Sequence, residues 1–274
     1  MSRPDRPAAT DPSHYHQHGY LLPAAAVLPQ PTFEGLRSRF SVLATTWAQT
    51  YQQRPEAFDK PHFFYPELFE YLLHPAILDL VETVIGPDIG LFSSHFICKP
   101  PHTGQRVPWH EDSSYWQGIF DGIDQVCTLW LAIDPADADN GCLRVIAGSH
   151  RDGYSRYQAV ADPAQAVFQT EIRAAHVDEH HAVDLALAPN RCSLHHARII
   201  HGSHANHSPR RRCGLSIRYF STRHRYLGGP LPDFFRIYLA RGRDHAGNRY
   251  AEPRGVNQAW IDRVIAGQAL AGHL

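Results

Sequence analysis

The sequence predicts a mainly β protein in which helices pack around a single β core. Residues up to about 86 contain two stretches with helical periodicity. After Gly90, short runs rich in apolar and β-branched residues alternate with Gly, Pro, Asn and Asp. If these runs are strands, their frequency is typical of a sandwich or barrel. Because no linker divides the chain, we expect one domain over residues 18–274, preceded by a flexible tail at 1–17.

The helices are predicted from apolar spacing. The first is expected over about 32–53, because large apolar side chains recur there at intervals of three and four residues, with Thr32 as its N-cap. The second is expected over 66–85, since a proline suits its first turn and Gly86 precedes another proline at its end. A short final helix is expected at 259–266.

The strands are predicted from six runs that follow the second helix. Within the second run, Leu129, Leu131 and Ile133 alternate with other residues, as on one face of a strand. The runs are LFSSHFIC, QVCTLWLAID, CLRVIAGSH, HAVDLALA, CSLHHARII and RCGLSIRYF.

Composition narrows the class of protein. The 274 residues include 26 Lys and Arg against 27 Asp and Glu, a net charge of −1 that does not favour a nucleic-acid binder or a membrane-surface protein. The five cysteines form no C-x-x-C pair, so we expect no disulfide framework and a cytoplasmic location. The N-terminus lacks the apolar segment of a secretion signal, and no apolar run approaches the ~20 residues of a membrane-spanning helix.

Histidine is abundant, with 20 residues, and imidazole is the commonest protein metal ligand. Most of these histidines lie in the tail or in polar stretches such as 180–181, where exposure is expected. His110 and Glu111 begin a zinc motif H-E-x-x-H, but Ser114 stands where its second histidine belongs, so that motif is excluded.

His110 and Asp112 form the most informative pair. Side chains two residues apart on an extended strand point to the same side, so both can reach one ion. One more histidine would complete two imidazoles and a carboxylate on one face of a metal, the facial triad of non-haem Fe(II) enzymes.

Five histidines of the second half compete to be the third ligand. His201 ends the apolar stretch ARII, where a strand would leave the core. His195 and His196 are adjacent, so at most one points inward, whereas His204 and His207 fall in a loop where exposure is expected.

Three arginines, at 210–212, precede the strand CGLSIRYF. A charge run is usually a solvated face, and the neutral net charge weakens the alternative of a nucleic-acid patch. An arginine that enters a β core needs an anionic partner, because burying it alone is costly. A dicarboxylate co-substrate would supply one, since guanidinium pairs with carboxylate in a bidentate fork.

Three segments, in their order and spacing, resemble a known family. They are WHEDSSYW at 109–116, DNGCLRVIAGSH at 139–150 and HGSHANHS at 201–208, with Lys99 before the first and Ala147 where proline is usual. Together they resemble the phytanoyl-CoA dioxygenase family of Fe(II)- and 2-oxoglutarate-dependent oxygenases. The similarity covers about residues 17–225, and the Pro- and Arg-rich segment from Tyr226 onward does not follow it.

The resemblance implies a double-stranded β-helix, or jelly-roll, core with the N-terminal helices packed outside. It implies that His110, Asp112 and His201 bind iron, with 2-oxoglutarate and O₂ as co-substrates. His196 would support the ligands, and His150 would belong to a structural turn.

For 2-oxoglutarate, the resemblance implies Arg212, eleven residues after His201, as the arginine that binds the far carboxylate. Arg211 is the alternative if the register differs by one residue. Lys99 and Thr128 match positions that often line the co-substrate pocket.

The resemblance thus implies a dioxygenase that hydroxylates or otherwise oxidises a C–H bond of a small molecule, while 2-oxoglutarate is converted to succinate and CO₂. An aspartate at position 112 favours hydroxylation over halogenation. Two alternatives remain: a cupin-type metal enzyme that does not use 2-oxoglutarate, and a non-catalytic ligand-binding β-helix. The substrate candidates lie in the loop after the first strand and near the C-terminus: Gln105, Arg106, Ser113, Trp116, Arg223, Arg225 and Phe234.

Overall fold

The computed structural model describes residues 11–51 and 58–267. Its α-helices are α1 (Pro12–His18), α2 (Gln30–Tyr51), α3 (Pro61–Phe64), α4 (Phe69–Leu72), α5 (Pro75–Ile85), α6 (Asp112–Tyr115) and α7 (Gln258–Ile265). Its strands are β1 (Tyr20–Leu21), β2 (Phe58–Asp59), β3 (Ile89–Lys99), β4 (Val107–His110), β5 (Val126–Ala132), β6 (Leu143–Ile146), β7 (Tyr157–Ala159), β8 (Thr170–Ile172), β9 (Ala182–Leu185), β10 (Cys192–His196), β11 (His201–Ser203), β12 (Arg212–Ser221) and β13 (Tyr238–Arg241).

Two antiparallel sheets form the core. The larger has the order β1-β10-β5-β12-β3-β13, with β2 also paired to β3, and the smaller has the order β4-β11-β6-β9. A separate two-stranded ribbon consists of β7 and β8. Residues of both sheets line one cavity between them. This arrangement confirms the predicted double-stranded β-helix with helices packed outside.

The outer face of the large sheet is covered by α2. Its five expected apolar side chains are all buried, and the Phe40 ring lies 4.7 Å from that of Phe96 on β3. Burial of such a side chain stabilises the fold by about 1.5–3 kcal/mol. Because side chains alternate along a strand, the neighbours His95 and Ile97 point to the opposite face, into the cavity.

The second predicted helix, 66–85, was wrong as a single element. The structure has a 3₁₀ turn over Pro66–Leu68, then α4, then a break before α5. Pro75 lacks an N–H and restricts the residue before it, so the helix restarts there. His74 caps the new helix, because its Nδ1 accepts a hydrogen bond from the Ala76 N–H at 3.2 Å.

The flexible-tail prediction was wrong for residues 11–17, and residues 1–10 lie outside the described residues. Asp11 caps α1 by accepting the Ser13 N–H at 2.8 Å, and Tyr15 is buried. Gly19 ends the helix with φ of 80°. The sequence did contain a signal for this helix. Asp11 followed by Pro12 is a typical helix start, and Gly19 is a typical helix end.

The boundaries of the other two predicted helices agree with expectation to within a few residues. The first helix begins at Gln30, so Thr32 lies inside its first turn, and the final helix is α7. Expected residues 52–53 lie outside the described residues. In the described part of the chain, no helix combines the length and apolar character needed to cross a membrane.

Candidate metal centre and cavity

Three buried side chains converge where the small sheet faces the large one. His110 ends β4, Asp112 begins α6, and His201 begins β11 directly opposite His110 in the ladder. Their ligand atoms all lie within 4.8 Å of one another. The Nε2 atoms of His110 and His201 are each 3.8 Å from Asp112 Oδ1. This spacing fits a single metal ion.

The two imidazoles are oriented by the backbone. His110 Nδ1 lies 2.8 Å from the Pro108 carbonyl oxygen, and His201 Nδ1 lies 2.9 Å from that of Ile199. Such a contact makes Nδ1 the donor and leaves Nε2 as the ligand atom, the arrangement usual in protein metal sites. Two imidazoles and a carboxylate are a donor set suited to Fe(II) with open positions.

The Asp112 carboxylate is held ionised. Burial by itself would raise its pKa, but the Arg218 guanidinium and the His201 and His110 rings together hold the pKa well below its usual value. Thr128 Oγ1 also donates a hydrogen bond to Asp112 Oδ2 at 3.0 Å. Thr128 therefore lies behind the carboxylate, and it is not among the described residues that line the cavity.

The cavity opens to solvent, and about 860 Å³ of unfilled space lies within it and its mouth. Its lining includes apolar residues of both sheets and of the segment before β8. Those residues are Ile97, Val107, Trp130, Leu143, Val167 and Phe168.

Arg212 and Lys99 place two cationic side chains next to each other in the cavity. They are paired in the β12–β3 ladder and are 2% exposed each. Arg212 Nε and Nη1 have no hydrogen-bond partner among the described residues, and the guanidinium carbon lies 4.8 Å from the centre of the Trp130 ring. Lys99 donates to the His204 carbonyl. Burial and the adjacent Arg212 charge lower the pKa of Lys99 well below its usual value.

Arg211, the alternative to Arg212, is directed elsewhere. Its Nε and Nη2 donate to the two carboxylate oxygens of Asp134 at 2.7 and 2.9 Å. Its guanidinium carbon lies 5.2 Å from the centre of the Phe40 ring, on the side covered by α2. The buried arginine without a protein anion is therefore Arg212.

Of the expected substrate residues, one lines the cavity and the others lie elsewhere. Gln105 lines the cavity, and its amide donates to the Ala164 carbonyl at 2.6 Å. Arg106 pairs with Glu171 at 2.8 Å in a neighbouring surface pocket. The Trp116 ring is buried against Phe92. The other candidates, which are not part of the cavity lining, are Ser113, Arg223, Arg225 and Phe234.

His196 was expected to support the metal ligands, but its neighbour takes that position. The structure directs His196 away, with Nε2 near the Asp124 carbonyl and Nδ1 accepting the Arg198 N–H. His195 instead lies 4.8 Å from His201 between ring centres, and neither of its ring nitrogens has a hydrogen-bond partner within the described chain. Strand alternation left one of the two histidines facing inward, and only the β10–β5 register decides which.

Two further cavity residues had not been anticipated. Arg218 lies six residues after Arg212 on the same face of β12, and its Nε is 3.8 Å from Asp112 Oδ2. Phe168 packs against the His110 ring at 4.7 Å between ring centres. The even spacing of the two arginines was a signal for Arg218, whereas no local pattern marks Phe168.

Comparison with known proteins identifies the chain's relatives. A probable phytanoyl-CoA dioxygenase of Caenorhabditis elegans is 31% identical over 168 residues, covering 56% of this chain and 51% of the relative. A probable alpha-ketoglutarate-dependent hypophosphite dioxygenase of Stutzerimonas stutzeri is 30% identical over 167 residues, covering 59% and 55%. The chain thus spans about half the length of these relatives.

Solved structures share the fold over nearly the whole chain. The non-heme monooxygenase ThoJ, in its apo form, is 25% identical with a TM-score of 0.74, covering 94% of each chain. EctD from S. alaskensis with bound Fe is 19% identical with a TM-score of 0.64, covering 94% of this chain and 91% of EctD. The family model for phytanoyl-CoA dioxygenase matches residues 15–214. The chain therefore belongs to the phytanoyl-CoA dioxygenase family.

Proposed function

We propose that this chain is an Fe(II)- and 2-oxoglutarate-dependent dioxygenase that hydroxylates, or otherwise oxidises, a C–H bond of a small molecule. The observation that carries the proposal is one cavity that holds both a His–Asp–His triad and a buried arginine without a protein anion. A cupin-type enzyme without 2-oxoglutarate would have no use for that arginine, whereas a non-catalytic ligand-binding protein would show no turnover of 2-oxoglutarate.

His110, Asp112 and His201 would hold the iron. All three side chains line the cavity, so a metal that they held would have room there for further ligands. When bound, the iron together with 2-oxoglutarate and O₂ supplies the oxidising chemistry, with succinate and CO₂ as by-products. Thr128 fixes the Asp112 carboxylate, and the Pro108 and Ile199 carbonyls fix the two imidazoles.

Arg212 and Lys99 would bind the far carboxylate of 2-oxoglutarate. An unpaired guanidinium buried in an apolar environment is costly, and a carboxylate that accepts its bidentate fork offsets that cost. The Trp130 ring packs against the Arg212 guanidinium. The surrounding side chains include several apolar ones, and an apolar environment would strengthen this ionic contact.

The names of relatives support the same chemistry. The Stutzerimonas stutzeri relative is described as alpha-ketoglutarate-dependent. Among proteins of the same fold, EvdO2 from Micromonospora carbonacea has been solved in complex with 2-oxoglutarate and EctD with Fe.

The direct test is an anaerobic titration of the protein with Fe(II) and 2-oxoglutarate. We expect the weak visible charge-transfer band of the chelate to saturate at one equivalent of iron. Asp112→Ala should abolish the band and any substrate-dependent succinate release. The absence of the band in the unmodified protein would contradict the proposed function.

A further inference from the structure

Two cysteines lie directly opposite each other in the large sheet, one rung from the residues proposed to bind 2-oxoglutarate. Cys98 on β3 and Cys213 on β12 are partners in the ladder, and the next rung pairs Lys99 with Arg212. Because side chains alternate along a strand, the two cysteines share the face of the sheet opposite to that of Lys99 and Arg212. Both are free thiols in this structure, and the proposed function does not use them.

The backbone hydrogen bonds make this rung a close one. The Cys213 carbonyl accepts the Ile133 N–H at 3.0 Å, so the peptide groups of Cys213 are directed away from β3. Cys213 and Cys98 are therefore a non-hydrogen-bonded pair, in which opposite Cα atoms lie about 4.5 Å apart and side chains come closest. A disulfide requires Cα atoms about 4.4–6.8 Å apart. The two strands thus hold these cysteines within bridging distance.

The two thiols also contact each other. Burial and a hydrogen bond with the Cys98 thiol raise the pKa of Cys213 well above its usual value. In the described ladders, Cys127 and Cys192 stand opposite residues other than cysteine, and Cys142 lies outside the strands. This close pairing is therefore specific to Cys98 and Cys213.

Cys98 is the more accessible of the two thiols. It is 4% exposed, whereas Cys213 is fully buried. Cys98 borders both the cavity and a surface groove between α2 and the turn after β3. Arg211 also lines this groove, and its guanidinium interacts electrostatically with both thiols. Because a nearby cation favours the reactive thiolate, a small oxidant in the groove should react first with Cys98.

We propose that Cys98 and Cys213 are a site of reversible oxidation, at which hydrogen peroxide converts the two thiols to an intramolecular disulfide. The Cys98 thiolate attacks one peroxide oxygen, the O–O bond breaks, and the released hydroxide recovers the proton that Cys98 had lost. The Cys213 sulfur then attacks the Cys98 sulfenic acid, the S–O bond breaks, and the departing hydroxide takes the Cys213 proton. Two electrons pass from sulfur to peroxide, two waters form, and a thiol reductant reverses the change by exchange.

The disulfide should alter the co-substrate site, because it forms one rung away. A disulfide holds opposite Cβ atoms about 3.8 Å apart, closer than the roughly 4.5–5.5 Å of cross-strand pairs without a bond. It therefore draws the strands together beside Lys99 and Arg212, and a bidentate contact has a fixed geometry. We expect oxidation to weaken 2-oxoglutarate binding. That consequence rests on the proposed function, whereas formation of the disulfide does not depend on it.

Peptide mapping tests whether the disulfide forms. The full chain is freed of metal with EDTA, treated with hydrogen peroxide, blocked with N-ethylmaleimide under denaturing conditions and digested without reductant. We expect two peptides linked through Cys98 and Cys213, and dithiothreitol should separate them. Thiols that stay free, that oxidise separately to sulfinic acid, or that link to other cysteines would overturn the proposal.

Calorimetry on the Mn(II)-loaded protein tests the effect on the co-substrate site. The oxidised protein should bind 2-oxoglutarate about 10-fold more weakly than the reduced protein, as expected when a hydrogen bond between charged groups is lost. Reduction should restore the affinity. In Cys98→Ala, peroxide should leave the affinity unchanged. Cys192→Ala, which removes a buried cysteine elsewhere in the same sheet, should respond to peroxide as the unmodified protein does.

The outcomes distinguish the two proposals. A reduced, unmodified protein that does not bind 2-oxoglutarate contradicts the proposed function and leaves the peptide map valid. Equal affinities of the reduced and the disulfide-linked protein overturn the effect on the co-substrate site. A loss of affinity that persists in Cys98→Ala overturns it as well, because another oxidised residue is then responsible. The peptide map of the unmodified protein does not depend on how a variant folds.

Discussion

At the scale of single residues, neighbouring side chains of the same type have opposite roles. Arg211 pairs with Asp134 on the helix-covered side, and Arg212 enters the cavity without a protein anion. His196 points away from the triad and His195 points toward it. Residue type alone does not predict which member of each pair faces the cavity, because the two members differ only in the direction in which their side chains point.

Arg212→Ala should raise the concentration of 2-oxoglutarate needed for half-saturation by about 100-fold, because it removes a charge-assisted bidentate contact. Steady-state succinate release against 2-oxoglutarate concentration measures this. Arg211→Ala is the matched control and should change thermal stability without this shift in saturation. Equal shifts in the two variants would assign the co-substrate to neither arginine.

The affinity for 2-oxoglutarate should depend on pH through Lys99. Burial and the Arg212 charge lower the pKa of Lys99 well below 10.5, and only the protonated amine attracts the far carboxylate. As pH rises through this lowered pKa, Lys99 loses its proton and the dissociation constant should increase, beginning below pH 10.5. Calorimetry on the Mn(II)-loaded protein measures it.

Lys99→Met provides the comparison for that pH profile. It should bind 2-oxoglutarate weakly at neutral pH and lose the alkaline decline, since no proton is then released from this position. An unchanged alkaline decline in Lys99→Met would mean that another group is responsible.

At the scale of elements, β12 and β3 act as two-sided supports. On β3, Phe96 contacts α2 while His95 and Lys99 face the cavity. On β12, Arg212, Ser216 and Arg218 share the inward face. Because side chains alternate along a strand, the packing of its outer face against the helices determines which charged side chains of the same strand point into the cavity.

Gly214, between Arg212 and Ser216, tests this coupling. A Cβ there would lie 2.0 Å from Trp130 Cζ2, so the ring that supports Arg212 must move. Gly214→Val should destabilise the fold by about 1–3 kcal/mol and weaken 2-oxoglutarate binding. Denaturant unfolding and the chelate titration measure the two effects.

Gly35→Ala on α2 is the control for Gly214, because its Cβ would come no closer than 3.3 Å to the Tyr71 hydroxyl. It should leave 2-oxoglutarate binding unchanged. Tight binding retained in Gly214→Val would show that Trp130 does not position Arg212.

At the scale of the whole molecule, the metal site joins segments that are distant in the chain. His110 and Asp112 come from the end of β4 and the start of α6, and His201 comes from β11. A ligand that binds only the folded state stabilises it by about 2.7 kcal/mol at a concentration 100 times its dissociation constant. Metal binding should therefore raise the melting temperature by several degrees.

Differential scanning fluorimetry with Mn(II) measures this rise, and EDTA should reverse it. Asp112→Ala should show no rise, because the triad has lost its carboxylate. A rise of the same size in Asp112→Ala would place the stabilising metal elsewhere on the protein.

Much of the site could be predicted from local pattern, and the remainder depended on register. The H-x-D spacing, the position of His201 at the end of an apolar stretch and the resemblance in three segments were sufficient to name the triad that the structure brings together. Thr128 was placed in the co-substrate pocket, but it supports Asp112 instead. Phe168 could not be found from the sequence, because it reaches the cavity from a segment without a local motif.

The sequence by itself determined that helices precede a β-rich core, the six runs that form β3, β5, β6, β9, β10 and β12, and the chemistry available to the site, because periodicity, turn residues and ligand spacing are properties of short segments. Only the tertiary structure decided that Arg212 and not Arg211, and His195 and not His196, face the cavity. The physical reason is that strand pairing over long separations sets which face of each strand is inside. A shift of one residue in that pairing would exchange every one of these roles.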